Sequence, residues 1–416
     1  MTTTPKPASP NQRIDVLDIL RGIAIFGMII AHFAGDNVTS KADIVTDKII
    51  TLFVYDRFHT IFAILFGAGF AIQFARAKAN DEKFVPRYLR RLLALFCFGL
   101  IAEIGLGFPI LVEYSICGLL LLMVRKWSTK ALTITLLISI VSTHLYYAAS
   151  TTIYLSKHSV EQFKARQKER INIFKQRREQ EEMEKTTTNY LTVATIRVKK
   201  LLNRYSEPLA SLVGLIPYDF VFFLVGFLAM RLKVFEHPLK NRRLILSLMG
   251  FGIISWVLTY WVLPSLIPSG LQYSYPNISL IREIFNFTLR WSVFRDTWLS
   301  LTYIGAILLL TAYSAAWMNR LKLFGWAGRM ALTNYMLQAT IVSLLTYNYA
   351  FAVLPFPQRY VPLLSILLFV SLVFFSRSWL TRYQYGPLEW IWRSFTYWKW
   401  QPMKKKETIQ NTEMTL

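Results

Sequence analysis

Five side chains able to carry or exchange protons sit in or beside long apolar runs, where hydrocarbon should reject them: His32, His59, Asp56, Glu103 and Glu113. Histidine titrates near neutral pH, and a carboxylate beside it makes it a natural general base. A second set has the types that hold an anion. Asp18 and Arg21 lie three residues apart in the run 16–34, so on a helix they share a face and can pair. Arg329, Asn334 and Gln338 gather around the start of a late apolar run, the two amides four residues apart. Arg21 and Arg329 suit a phosphate. The pair Asp18–Arg21 reads equally as an ion pair that fixes helix packing, and buried amides commonly tie membrane helices together. Both meanings stay open.

Other chemistry finds no footing. No ligand-type histidine spacing such as HxxxH is present, so no metal site is expected. The phosphate-loop, dinucleotide and nucleophile-elbow signatures are missing. The two cysteines, Cys97 and Cys117, lie inside apolar runs and read as packing residues.

The elements that must position these groups are apolar helices. Of 416 residues 54% are hydrophobic, and stretches near the roughly 20 residues needed to cross a bilayer recur along the chain. The expected fold class is all-α, a polytopic transmembrane bundle of about ten spans: 16–34, 56–75, 89–107, 109–124, 131–150, 209–230, 244–263, 298–317, 331–352 and 360–380. A formal net charge of +23 could suggest nucleic acid. The Lys and Arg residues instead concentrate in short loops on the N-terminal side, which predicts cytoplasmic N and C termini, a multi-pass plasma-membrane location and no nucleic-acid partner. Four regions follow: helices one to five over 1–150, a charged extracytoplasmic helical insert over 151–207, helices six to ten over 208–380, and an interfacial aromatic and basic tail over 381–416.

This topology sorts the polar residues into two layers. Asp18, Arg21, Arg329, Asn334 and Gln338 fall on the cytoplasmic side. His32, His59 and His144 fall at outer helix ends, with Asp56, Glu113 and Glu103 on the same side and Asp219 about halfway along the sixth span. The insert reads as a solvated helical arm, or as a surface for anionic headgroups or cell-wall polymer, with Val160, Phe163, Ile171 and Phe174 near one face.

RIDVLDILRGIAIFGMI, FHTIFAILFGAGF, RYLRRLLALFCFGL, GRMALTNYMLQ and SWLTRYQYGPLEWIWRSFTY together resemble the YeiB-type bacterial membrane proteins, a family classed as a domain of unknown function. That family in turn resembles the membrane acyltransferases, which include heparan-α-glucosaminide acetyltransferase and share an LDxLRG-like opening. The resemblance implies a cytosolic acyl-CoA donor and an acceptor beyond the membrane. Relatives carry a His early in the third span and an Asp in the hairpin to the fourth; here Glu103 and Pro109 stand near those places.

Three functional readings therefore remain, the third a non-enzymatic scaffold whose outer helical arm recruits a partner. In the first, His59 or His32 accepts a proton, Asp56, Glu113 or Glu103 assists, and Arg21 and Arg329 hold the phosphates of acyl-CoA. Acyl-CoA is then a donor substrate rather than a bound cofactor, the acceptor is a cell-envelope glycan or lipid, and the protein sits in the bilayer, where it can form homo-oligomers. In the second, the protein transports or handles lipid without covalent chemistry, and Asp18, Arg21 and Asp219 line the path.

Overall fold

The computed structural model describes residues 15–35, 37–79, 84–141, 157, 160–206, 208–262 and 297–405. Among them every regular element is a helix, and the one β-bridge pairs Tyr383 with Lys404. In chain order, α1 is Asp15–Phe33, α2 Lys41–Phe53, α3 Arg57–Ala79, α4 Phe84–Leu100 and α5 Ile110–Val124. Then come α6, Thr129–Val141, and α7, Val160–Thr186, α8, Tyr190–Tyr205, and α9, Pro208–Arg231. The series closes with α10 at Arg242–Val257, α11 at Leu299–Tyr313, α12 at Ala315–Arg329, α13 at Ala331–Thr346, α14 at Val361–Arg382 and α15 at Pro387–Tyr397.

Three described stretches are long and apolar enough to cross a membrane, namely Asp15–Phe33, Lys41–Ala79 and Gln358–Arg382; Ile110–Val124, Thr129–Val141 and Leu299–Tyr313 are shorter apolar helices. His144 lies outside the described residues, as do the side chains of Val160, Phe163, Ile171 and Phe174. The segment between the first two expected spans is largely the helix α2. Ser40 starts it with a capping box closed by Asp43, which satisfies two end groups of the backbone. Its Ile44, Val45, Ile49 and Phe53 are exposed.

Two helix pairs form the frame, and glycine sets both seams. A Cβ on Gly22 would meet the carbonyl of Phe324, and one on Gly328 would meet the carbonyl of Asp18, so α1 and α12 pack backbone to backbone. Gly67 and Gly226 do the same for α3 and α9, against Phe223 and Ile64. The pairs His59–Asp219, Phe66–Phe223 and Phe70–Phe227 show that α3 and α9 run parallel. The end of the bundle at which α1 begins is called the near end below, and the end at which it finishes the far end.

At the far end α4 continues as a wider π-helical turn, Ile101–Leu106, closed by Gly107 at φ 89°. The Gly107 and Phe108 amides donate back to the carbonyls of Glu103 and Ala102 at 3.1 and 3.0 Å. A side chain at Gly107 would be strained and would also press on Tyr347 and Arg197. The turn leaves Glu103 buried, with α7 and α8 above it.

Candidate functional site

The near end holds a cavity of about 230 Å³. Its polar wall carries Arg21, Gln73, Arg91, Arg329 and Glu389; its deeper wall carries Phe62, Leu65, Phe66, Leu111 and Tyr114. Asp18 steadies Arg21 through an ion pair of 2.7 Å one helical turn away. Arg91 lies 3.7 Å over the ring of Trp392, whose indole N–H donates to the Arg91 carbonyl at 2.8 Å. Three guanidinium groups line this one small cavity, a chemistry suited to an anion.

Glu389 sits in the same wall but is already engaged. Its carboxylate accepts the Leu332 and Thr333 amides at 2.7 and 3.1 Å, as well as the Thr333 hydroxyl. It thereby caps the positive end of α13 from another helix. Burial pushes its carboxyl up, against the pull of those hydrogen bonds.

The far end holds the proton-active cluster. His59 Nε2 lies 3.4 Å from Asp219 Oδ1 across the seam of α3 and α9. Tyr114 stacks on the imidazole with ring centroids 5.6 Å apart, and its hydroxyl donates to the His59 carbonyl at 3.0 Å. Glu113 and Asp56 act electrostatically on His59. Arg204 of α8 lies 2.8 Å from Glu103 and 3.9 Å from Glu113. His32 packs against Phe108 with centroids 4.5 Å apart, and its buried Nδ1 has no hydrogen-bond partner.

A second cavity, about 660 Å³, opens at the far end between the π-helical turn and α7–α8. Glu103, Pro109, Arg177, Glu184, Arg197, Lys200, Arg204 and Tyr347 are among its lining residues. Glu184 is the hinge pin of this roof. It is 4% exposed and takes Arg197 at 2.7 Å, Lys200 at 2.9 Å and the Tyr347 hydroxyl at 3.1 Å. Burial opposes its ionisation, yet the hydrogen bonds from Arg197 and Lys200 hold its carboxyl below the usual range. Arg197 also donates to the Gly105 carbonyl at 2.7 Å, which fastens α8 to the turn.

The two cavities approach each other at the first turn of α5. Tyr114 faces the near cavity, and its chain neighbour Glu113 faces Arg204 beneath the far one. The structure thus gathers His59, Glu113, Glu103 and, at its edge, Asp56 and His32 at the far end, and brings Arg21 and Arg329 to the near cavity. Asn334 and Gln338 do not line it. Asn334 donates to the Ala327 carbonyl at 2.9 Å and Ser376 Oγ at 2.8 Å, tying α12, α13 and α14 together. Gln338 is fully buried, and both its amide atoms lack partners. Among the described residues no cluster suits a metal ion.

Sequence reading missed Tyr114, Arg91 and Arg204 as members of the site. Tyr114 adjoins Glu113, which was a usable signal. Arg91 counted as a loop charge, and Arg204 stood inside a charged insert whose partners lie roughly a hundred residues earlier; no local pattern gives that pairing.

Two stretches of the chain match known families. Residues 13–169 match the family described as heparan-alpha-glucosaminide N-acetyltransferase, catalytic. Residues 229–399 match the family described as protein of unknown function (DUF418). The chain is 29% identical over 431 residues to protein YxaH of Bacillus subtilis, covering 97% of this chain and 99% of that one. It is 26% identical over 399 residues to a 39.9 kDa protein encoded in the amylase 3' region of Bacillus acidopullulyticus, covering 94% of this chain and 96% of that one. Protein YeiB of Escherichia coli is 38% identical over 69 residues, 17% of this chain and 18% of that one. No solved structure matches the chain. The YeiB-type resemblance read from the sequence, with its distant likeness to the membrane acyltransferases, is upheld by these matches.

Proposed function

We propose that this chain, acetyltransferase-like in its first part and DUF418-like in its last, is a multi-pass plasma-membrane acyltransferase of about ten spans with both termini in the cytoplasm. It passes an acyl group from cytosolic acyl-CoA to an acceptor outside. One observation carries this reading: an arginine-walled cavity from the near end finishes at Tyr114, and Tyr114 stacks on His59 of the far-end cluster.

Arg21, Arg91 and Arg329 hold the donor's phosphates. The cavity, about 230 Å³, is smaller than the roughly 300–1,000 Å³ of ordinary ligand pockets, so it takes the thioester arm and leaves the nucleotide at the arginine mouth. His59 is the general base, oriented by Asp219. An acceptor hydroxyl or amine bonds to the thioester carbonyl carbon as the C–S bond breaks. His59 takes the acceptor's proton and returns it to the departing thiolate, leaving free CoA thiol and acylated acceptor.

Incubating the purified protein with acyl-CoA and envelope extract tests this. Thiol release with the wild type, falling about 100-fold or more in His59→Asn, is the expected result. Transport is the alternative: an acyl lipid crossing the membrane with every thioester intact would favour it.

A further inference from the structure

Two residues of the cavity under α7 and α8 each hold a buried polar atom that the protein leaves without a hydrogen bond. One is Nη2 of Arg197, whose side chain is 2% exposed; the other is Oε2 of Glu103, whose side chain is 6% exposed. Both residues line the cavity. An unmet guanidinium N–H seeks an anion, and an unmet carboxylate oxygen seeks a hydroxyl or amine donor. Natural structures rarely leave such atoms buried and unanswered.

The surrounding charge agrees. Arg177, Lys185, Arg197, Lys200 and Arg204 line the cavity, against Glu103, Glu181 and Glu184. The wall therefore carries an excess of positive charge even after Glu184 has engaged Arg197 and Lys200. All of these groups except Glu103 come from α7 and α8, and they lie between the two stretches that match known families.

We propose that this cavity is a binding site for a molecule with an anionic group, phosphate in the first instance, next to a free hydroxyl. Arg197 Nη2, with Lys200 and Arg177, takes the anion. Glu103 Oε2 accepts the hydroxyl's hydrogen bond, which turns that hydroxyl toward Glu113 and His59. Glu184 fixes the geometry by holding Arg197 and Lys200 from the opposite side, and Arg204 keeps Glu103 in place. Its use as a site for the acyl acceptor rests on the acyltransferase reading; the binding itself does not.

Glycerol phosphate is the simplest probe, because it joins a phosphate to hydroxyls. Full-length protein in phosphatidylcholine nanodiscs is titrated with glycerol phosphate, with neutral glycerol and with inorganic phosphate. In a second arm, nanodiscs containing phosphatidylglycerol present the same group as a lipid headgroup. Glycerol phosphate should bind at least tenfold more tightly than glycerol, and raised salt should weaken it. The double variant Arg177→Gln with Lys200→Gln should lose about tenfold in affinity. Glu103→Ala should narrow the preference over inorganic phosphate, and Glu103→Gln, which keeps an acceptor oxygen, should largely restore it.

Retention only of the lipid form identifies the source as a headgroup and supports the site. Equal binding of glycerol and glycerol phosphate overturns the proposal, as does failure of both arms or binding that the double variant leaves unchanged. A bound probe without any acyl transfer leaves this site standing and counts against the enzymatic reading alone.

Discussion

Tyr114 lies flat against His59, with ring centroids 5.6 Å apart and its hydroxyl bonded to the carbonyl of the same residue at 3.0 Å. Tyr114 is a wall of the near cavity, and the contact joins that wall to His59 of the far-end cluster. It also ties α5 to α3.

Tyr114→Phe keeps the wall and loses one hydrogen bond, worth about 1 kcal/mol. A small drop in thermal stability with near-normal transfer is expected. Tyr114→Ala opens the wall to water. It should raise hydrolysis of the thioester relative to transfer, read as free thiol against acylated product.

The seam of α3 and α9 brings His59 to Asp219, and Gly226 sits in it with the Ile64 carbonyl against its Cα. Gly226→Val should cost about 2–3 kcal/mol through overpacking and reduce activity with it. Gly250 has nothing within 4 Å of its would-be Cβ. Gly250→Ala should leave unfolding temperature and activity unchanged.

Arg21→Gln and Arg329→Gln should each weaken acyl-CoA binding about tenfold, measured by equilibrium binding, and make it less sensitive to salt. Arg359→Gln is the control. Its guanidinium bonds Asp43 at the far end at 3.0 Å, away from the donor cavity, and donor affinity should not move.

The clamp on the α7–α8 roof depends on an ionised Glu184. Its carboxyl is held below the ordinary value of 4.5 in the folded protein. The stabilisation is therefore complete above 4.5 and is lost as pH falls through the lowered folded value. Amide exchange in α7 and α8 should quicken in that acidic window. Glu184→Gln should show quick exchange at neutral pH and no such step.

Part of this arrangement was legible in the residues themselves. Asp18 and Arg21 had to share a face because they are three apart on one helix, and the pair is present at 2.7 Å. The helical class followed from long apolar runs. His59 and Asp219 are separated by 160 positions, and only the glycine seam joins them. Glu103 owes its burial to a π-helical turn, which no periodicity of α4 announces. Arg204 stood in a segment whose charges suggested a solvated arm. Asn334 looked like a ligand-binding amide or a packing amide, and its bonds to Ala327 and Ser376 show it tying helices.

In the proposed reaction an acyl group passes the Tyr114–His59 contact between donor and acceptor on opposite faces. Protein reconstituted in one orientation into sealed vesicles, with labelled acyl-CoA only on the near-end side and envelope acceptor only on the other, measures it. Free CoA should be retained on the donor side and labelled acceptor should appear on the far side, with both lost in His59→Asn. Intact acyl-CoA on the donor side with no labelled acceptor, or label and free CoA appearing together on one face, would contradict it.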